Sequence, residues 1–181
     1  MGWDIHFTKT RKIGTILQDK DFNIRFRDRD AIIYTIDEDG DESGLCFPGI
    51  TEENYKDSYA TYGFCRYGAN LRPLLWKLYT KYDMWFVDTC LDDWYYLQAE
   101  CKNEEEEQAL WDYCFASEMT SMFGNDMPKE DKMWKIMEQN EPIRDELYRR
   151  YTDKIIRKRE EAAQEIMNEI KEAEKTGTEG L

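Results

Sequence analysis

Phe22-Asn23-Ile24-Arg25-Phe26-Arg27 is the stretch that decides the fold, together with Ala31-Ile32-Ile33-Tyr34-Thr35-Ile36 just after it. In the first stretch, apolar and polar side chains alternate with a period of two, which puts them on opposite faces of an extended strand. The second stretch is rich in β-branched residues, which favour strands. Two strands so close in sequence predict an antiparallel pair.

Shorter stretches extend this pattern in both directions. Trp3, Ile5 and Phe7 share one face of a strand by the same period, and Leu45-Cys46-Phe47 is an apolar run that Pro48-Gly49 ends. The acidic and Gly-containing segment 37–44 is typical of a hairpin loop. The N-terminal part therefore predicts a small antiparallel β-meander.

Beyond residue 51 the apolar spacing becomes helical. It predicts helices from Leu71 to Tyr82 and from Glu104 to Phe123, a short one around Met133 to Met137, and a last one from near Pro142 to about Lys175. The predicted class is α+β: a meander followed by a helical half with a long C-terminal helix. We expect an α+β body over residues 1–127 and a helical arm over 128–181, with a frayed tail.

The composition excludes several classes of protein. The chain has 181 residues, and 41% of them are hydrophobic, which suffices for a packed core and argues against wholesale disorder. No apolar run approaches the length of a membrane-spanning helix. The five cysteines are odd in number and widely spaced. With no basic and apolar leader at the N-terminus, they predict free thiols and a cytoplasmic protein.

Catalytic motifs are missing from the sequence. His6 is the one histidine, no Cys-x-x-Cys occurs, and neither a phosphate-binding glycine motif nor a nucleophile elbow is present. Asp88, Asp92 and Asp93 would be the ligands of a metal-dependent enzyme, but helix capping by Asp88 and solvation of the other two explain them better. The sequence favours a protein that is not an enzyme and predicts no cofactor and no bound metal.

Acidic residues dominate the charge. Asp and Glu number 39 against 25 Lys and Arg, for a net charge of −14. Two clusters stand out, and an aromatic segment lies between them in sequence. The predicted partner-binding residues are Asp37, Glu38, Asp39, Asp41, Glu42, Trp94, Tyr95, Tyr96, Glu104, Glu105, Glu106 and Glu107.

These clusters lead to the main functional hypothesis, a non-enzymatic acidic module that binds a basic protein. In its most concrete form it is a nucleic-acid mimic that occupies the basic nucleic-acid-binding surface of a nuclease. The composition, though no motif, resembles that of the anti-restriction and anti-CRISPR inhibitors of phages and mobile elements. The simpler interpretation is that both clusters are solvated surface.

A local excess of basic residues supports an alternative function, direct binding of a nucleic acid. The segment from Lys9 to Arg29 contains seven bases and three acids. Arg25, Arg27 and Arg29 share one strand face, which predicts a surface that contacts the phosphates of a nucleic acid. The competing interpretation is an outer face whose arginines pair with neighbouring acids.

The last helix carries its charges in an unusual order. Residues 149–159 contain six bases and one acid, whereas residues 160–174 contain six acids and one base. This order opposes the helix dipole. Ile156, Ala163 and Ile170 keep a heptad repeat that Arg159 interrupts. An antiparallel homodimer through residues 149–174 would match the charges; packing on the protein's own body, or on another protein, are the alternatives.

Overall fold

A computed structural model of the chain describes residues 4–8, 13–17, 20, 22–67, 70–88 and 92–179. The described residues contain six strands, with two short helices among them and a third after the last strand, followed by two long helices. The strands are β1 Asp4–Thr8, β2 Asn23–Phe26, β3 Asp30–Ile36, β4 Glu42–Pro48, β5 Tyr62–Tyr67 and β6 Trp85–Asp88. The helices are α1 Ile13–Leu17, α2 Arg72–Tyr82, α3 Asp92–Gln98, α4 Glu104–Phe123 and α5 Lys132–Glu179.

The strands form one antiparallel sheet in the order β2-β3-β4-β5-β1-β6. The predicted α+β class, with an N-terminal meander and a long C-terminal helix, is confirmed. The sheet is larger than the sequence indicated, because β5 and β6 come from stretches beyond residue 51 for which the sequence predicted no strand. Short strands with bulky residues on both faces, such as Trp85-Phe86-Val87, lack the alternation that identifies a strand.

One face of the sheet forms the hydrophobic core with the helices. Alternate strand residues face the helices, and α2 and α4 supply the other half of this core. The strand residues are Ile5, Phe7, Ala31, Ile33, Leu45, Phe47 and Cys65. Helix α2 contributes Leu74, Leu75, Leu78 and Tyr79, and α4 contributes Leu110, Cys114, Phe115, Met119 and Phe123. Burial of this apolar surface is the main force that holds the helices on the sheet.

Helix α4 has the bounds that its sequence predicts, because both ends carry strong local signals. Asn103 is the N-cap, and its side-chain oxygen accepts a hydrogen bond from the Glu106 amide at 2.9 Å. Four glutamates in the first turn interact favourably with the helix dipole. Gly124, with φ of 51°, ends the helix in a backbone conformation that glycine adopts without strain.

Helix α5 is longer than predicted, since it begins at Lys132 and runs through Pro142 without a break. A proline inside a helix removes one backbone hydrogen bond and usually ends or kinks the helix. Here Met133 and Leu147, on either side of Pro142, are both buried in the same core. Packing on both sides of the proline therefore joins the two predicted helices into one.

The two halves of α5 have different surroundings. Residues up to Ile155 include side chains that pack on the body, whereas every side chain described from Ile156 to Gly177 is exposed. We call residues 156–179 the free arm. At 1.5 Å per residue it extends roughly 36 Å from the body.

Candidate protein-binding surfaces

The first acidic cluster forms the tip of the β3–β4 hairpin. The Asp37 carboxylate accepts hydrogen bonds from the amides of Asp39 at 3.0 Å and Asp41 at 2.8 Å. Gly40 completes the turn with φ of 85°. Asp37 therefore organises the loop, while the carboxylates of Glu38, Asp39 and Asp41 are exposed and form no ion pair within the described residues.

Glu42, the last acid of this cluster, has a different role. Its carboxylate pairs with the Arg25 guanidinium across the sheet, with N–O distances of 3.2 and 3.4 Å. The Arg25 guanidinium also lies 4.8 Å from the centre of the Tyr34 ring. This hydrogen-bonded carboxylate raises the pKa of Arg25. The hairpin thus offers a partner three carboxylates rather than the five predicted.

The second acidic cluster, at the start of α4, is also divided. Glu104 and Glu105 are exposed. The Glu106 carboxylate accepts two hydrogen bonds from Arg150 of α5, at 2.8 and 2.9 Å, and Gln98 donates to Glu107 at 3.0 Å. Glu106 and Glu107 therefore connect α4 to neighbouring helices and are less available to a partner.

The Glu106–Arg150 pair is the main polar contact between the body and α5. Only 16% and 17% of the two side chains are exposed, so solvent screens this pair less than the others. The Arg150 hydrogen bonds, together with one from the Lys102 amide, lower the pKa of Glu106 to about 2. Arg150 also donates to the Glu100 carbonyl at 3.1 Å, and Lys154 pairs with the Glu100 carboxylate at 3.0 Å. This network fixes the point where α5 leaves the body.

The predicted aromatic anchor lies on α3. Trp94 is half-buried against Trp111, with ring centres 3.7 Å apart. Tyr95 is 75% exposed and Tyr96 is 52% exposed, the latter 5.4 Å from the Tyr151 ring of α5. The two tyrosines are thus the accessible part of the predicted segment, at the edge where α3 meets α5.

The predicted basic stripe follows β2 and the turn after it. Arg25 and Arg27 both lie on the sheet face opposite the core, since Arg25 contacts Glu42 and Arg27 contacts the Cys46 sulfur. Arg27 also forms a bidentate pair with Asp30. Arg29 is exposed. Two of the three arginines are therefore paired with neighbouring acids.

The free arm is amphipathic and carries four large exposed apolar side chains, Ile156, Ile166, Met167 and Ile170. Its apolar stripe contains Ile156, Ala163, Ile166, Met167 and Ile170, and Ile166 and Ile170 are 58% and 49% exposed. Helical periodicity places the acids on the opposite side, about 6 Å apart along the axis. This acidic row contains Glu161, Glu165, Glu169 and Glu172. Glu169 is the member nearest the apolar stripe, about 60° around the helix from Ile166.

The Glu106–Arg150 and Arg25–Glu42 pairs and the position of the aromatic edge were not predicted from the sequence. Both pairs join residues from distant parts of the chain, so no local spacing indicates them. The sequence did contain a signal for a second role of Glu106. Glu106 lies three residues after the N-cap Asn103, the spacing of a capping box, in which the glutamate side chain folds back to accept a hydrogen bond from a backbone amide at the helix start. Its carboxylate accepts from the Lys102 amide at 2.8 Å.

The described residues contain neither a metal-binding cluster nor a membrane-spanning helix. No group of three or more His, Cys, Asp or Glu is arranged to hold a metal ion in the described part of the chain. Asp88 lies at the end of β6, and the side chains of Asp92 and Asp93 fall outside the described residues. None of the helices described combines the length and the apolar character that crossing a bilayer requires.

No protein-family model, curated protein or solved structure matches this chain.

Proposed function

We propose that the protein is a non-enzymatic acidic binding module that occupies the basic nucleic-acid-binding surface of a nuclease. The observation that supports this proposal is that several arginines are paired within the chain, whereas two groups of carboxylates remain exposed. Arg25, Arg27 and Arg150 are paired with acids of the same chain. The carboxylates at the hairpin tip and along the acidic row of the free arm are exposed, without ion pairs among the described residues.

A basic channel would meet this surface electrostatically. Uncompensated carboxylates on ordered elements produce a negative field that steers cationic surfaces and competes with phosphates for the same lysines and arginines. The hairpin tip, fixed by Asp37, and the arm, a rigid helix, both hold their carboxylates in place. Tyr95 and Tyr96 would add apolar contact area, as aromatic residues do at protein interfaces.

The groove between α4 and α5 adds a concave element to this surface. It is open to solvent, spans about 530 Å³, and is bordered by Glu105, Glu106, Gln139 and Asn140. The Glu106 carboxylate is already bonded to Arg150, so the groups that remain for a partner are the Glu105 carboxylate and the two side-chain amides. Carboxylate and amide oxygens accept hydrogen bonds from lysine and arginine. We therefore assign this groove to a basic side chain of the partner.

The exposed carboxylates of the hairpin tip should contribute to inhibition. Glu38→Gln with Asp39→Asn and Asp41→Asn should reduce inhibition of a susceptible nuclease by about 10-fold, because three steering charges are removed. The measurement is DNA cleavage by purified restriction and RNA-guided nucleases with increasing amounts of the protein. Inhibition should be overcome by excess DNA and should weaken steeply between about 0.05 and 0.3 M salt.

A matched control removes the same charge elsewhere. Glu52→Gln, Glu53→Gln and Glu130→Gln change three exposed acids outside the proposed surface and should leave inhibition almost unchanged. If both variants lose inhibition equally, net charge alone explains the loss, and the hairpin tip has no specific role. Inhibition that is insensitive to salt would exclude the mimic and leave a hydrophobic binding module.

Direct binding to nucleic acid is the second candidate. It is favoured by the face on which Arg25 lies, because Tyr34 and Tyr62 lie on that face too and Tyr62 packs against His6. It ranks lower because Glu42 and Asp30 neutralise two of the arginines. Retardation of DNA or RNA by the protein alone, lost on Arg25→Glu, would make this the preferred function.

We also propose that a second copy of the chain is a partner, paired through residues 149–174. The support is the exposed apolar stripe of the arm, whose burial would be favourable. Leu147, which faces the body, and Ile166 lie about a third of a turn apart around the helix. A second arm can therefore lie along the stripe without displacing the contacts of α5 with α4.

Molar mass tests this second proposal. Light scattering should give a mass that rises from monomer to dimer with concentration. Removal of residues 156–181 should give a monomer at all concentrations and change the Tm by less than about 2 °C at low concentration, since the described arm side chains do not pack on the body. A full-length chain that stays monomeric would exclude the pairing, and a large loss of Tm would show that the arm stabilises its own body.

A further inference from the structure

We infer that Arg159 and Glu169 fix the orientation of this pairing as antiparallel; the inference rests on the proposed dimer. In a heptad repeat, two of every seven residues face the other helix and form the seam. The first of these positions is occupied by Ile156, Ala163 and Ile170, and the second is occupied by Arg159, Ile166 and Ala173. Among these six residues, Arg159 is the one charged side chain. A single charged residue in such a seam selects the alignment of the helices, because its neighbours on the other helix differ between alignments.

A parallel pair in register would place Arg159 against Arg159 of the second copy. Two guanidinium groups would then share a partly desolvated layer. This contact is repulsive, and repulsion between like charges rises as water is removed. The parallel alignment is therefore disfavoured by the very residue that interrupts the stripe.

An antiparallel pair gives Arg159 different neighbours. When the helices run in opposite directions, a residue at the first seam position of one helix lies opposite a residue at the second seam position of the other helix. Each such pair forms one layer of the seam. Matching Ala163 with Ile166 of the second copy places Ile156 opposite Ala173 and Arg159 opposite Ile170. Glu169 of the second copy is then adjacent to the guanidinium. The same contact occurs twice by symmetry.

The residues that would pair in this arrangement are exposed in the single chain. Arg159 and Glu169 are exposed, and neither forms an ion pair among the described residues, so no contact must be broken first. By contrast, the earlier bases Arg149, Arg150 and Lys154 are held by Glu146, Glu106 and Glu100. The bases available for pairing are thus those next to Arg159, which narrows the matching segment from 149–174 to about 156–173.

Reciprocal charge changes test the inference. Arg159→Glu and Glu169→Arg, each alone, should raise the Kd of the dimer by roughly 5-fold to 10-fold, because each creates two like-charge contacts. The double variant restores opposite charges at both contacts and should return the Kd to within about 3-fold of the original. Sedimentation equilibrium measures all four proteins, and circular dichroism confirms that each arm remains helical.

A mixing experiment provides an independent readout. Wild type and the Arg159→Glu, Glu169→Arg double variant should form separate homodimers, because mixed antiparallel dimers place like charges together at both contacts. In a parallel dimer the same mixture would prefer mixed pairs. Native mass spectrometry with one protein carrying a tag distinguishes the two results.

Each outcome points to one proposal. Single variants that dimerise as tightly as wild type, or mixed dimers that outnumber homodimers, would overturn the antiparallel orientation while leaving the dimer intact. A wild type that is monomeric at all concentrations would overturn the dimer itself. In the expected arrangement Glu161, Glu165 and Glu172 face away from the seam, so pairing leaves them accessible to the basic partner.

Discussion

Phe123→Ala should destabilise the protein by about 4 kcal/mol and lower the Tm by roughly 10 °C. The Phe123 side chain is 1% exposed and connects three elements. Its ring centre lies 4.6 Å from that of Trp76 in α2 and 5.6 Å from that of Phe86 in β6, both edge to face. Truncation removes these two contacts and the stacking on the Tyr79 ring at 6.2 Å, and it leaves a cavity that rigid neighbours fill only in part.

Chemical denaturation measures this loss, with an exposed aromatic residue as the control. Tyr95→Ala removes a ring of similar size that is 75% exposed and should change the stability by less than about 0.5 kcal/mol. Phe123→Leu retains part of the buried volume and should lose less than half as much as Phe123→Ala. Equal losses in the Tyr95 and Phe123 variants would contradict the position of Phe123 in the core.

Glu106→Gln should lower the Tm at pH 7 by roughly 5 °C, and this difference should disappear in acid. The pKa of Glu106 in the folded protein is lowered to about 2 by Arg150, below the usual range for glutamate. A carboxylate with a lowered pKa stabilises the fold above its unfolded pKa and loses that contribution as pH falls towards the folded value. The effect should therefore be complete above about pH 5 and lost between about pH 4.5 and 2.

Thermal unfolding of both proteins from pH 7 to pH 2 measures this dependence. The difference between them isolates Glu106 from other acids such as Glu146, whose pKa is also lowered to about 2, by Arg149. The control is Glu105→Gln, because the exposed Glu105 is adjacent in sequence and forms no ion pair in the described structure. A difference that persists at pH 2 would exclude the charge of Glu106 as its cause.

The regular parts of the fold were predictable because their signals are local. The alternation in 22–27, the β-branched run 31–36 and the capped helix from Glu104 each determine their own conformation. Tyr62–Tyr67 and Trp85–Asp88 become strands because β1 lies between them and pairs with both. That contact depends on the whole sheet, so their sequences alone did not predict it.

The sequence predicted which residues form the candidate surfaces, but it did not predict the role of each residue. Sequence identified the acids at 37–42 and 104–107 without distinguishing exposed carboxylates from paired ones. The distinction depends on Arg25 and Arg150, which are 17 and 44 residues from their partners. The Pro142 boundary was wrong for a related reason, since burial of Met133 and Leu147 on both sides outweighs the local cost of proline.

The free arm also affects how the molecule moves through solvent. A rod of roughly 36 Å attached to a compact body raises the friction of the particle far more than its mass. A monomer of this shape sediments slowly and elutes early from a sizing column, at the position of a larger globular protein. Elution volume alone would therefore suggest a dimer even for the monomer, and shortening the arm would change the apparent size without any change in association.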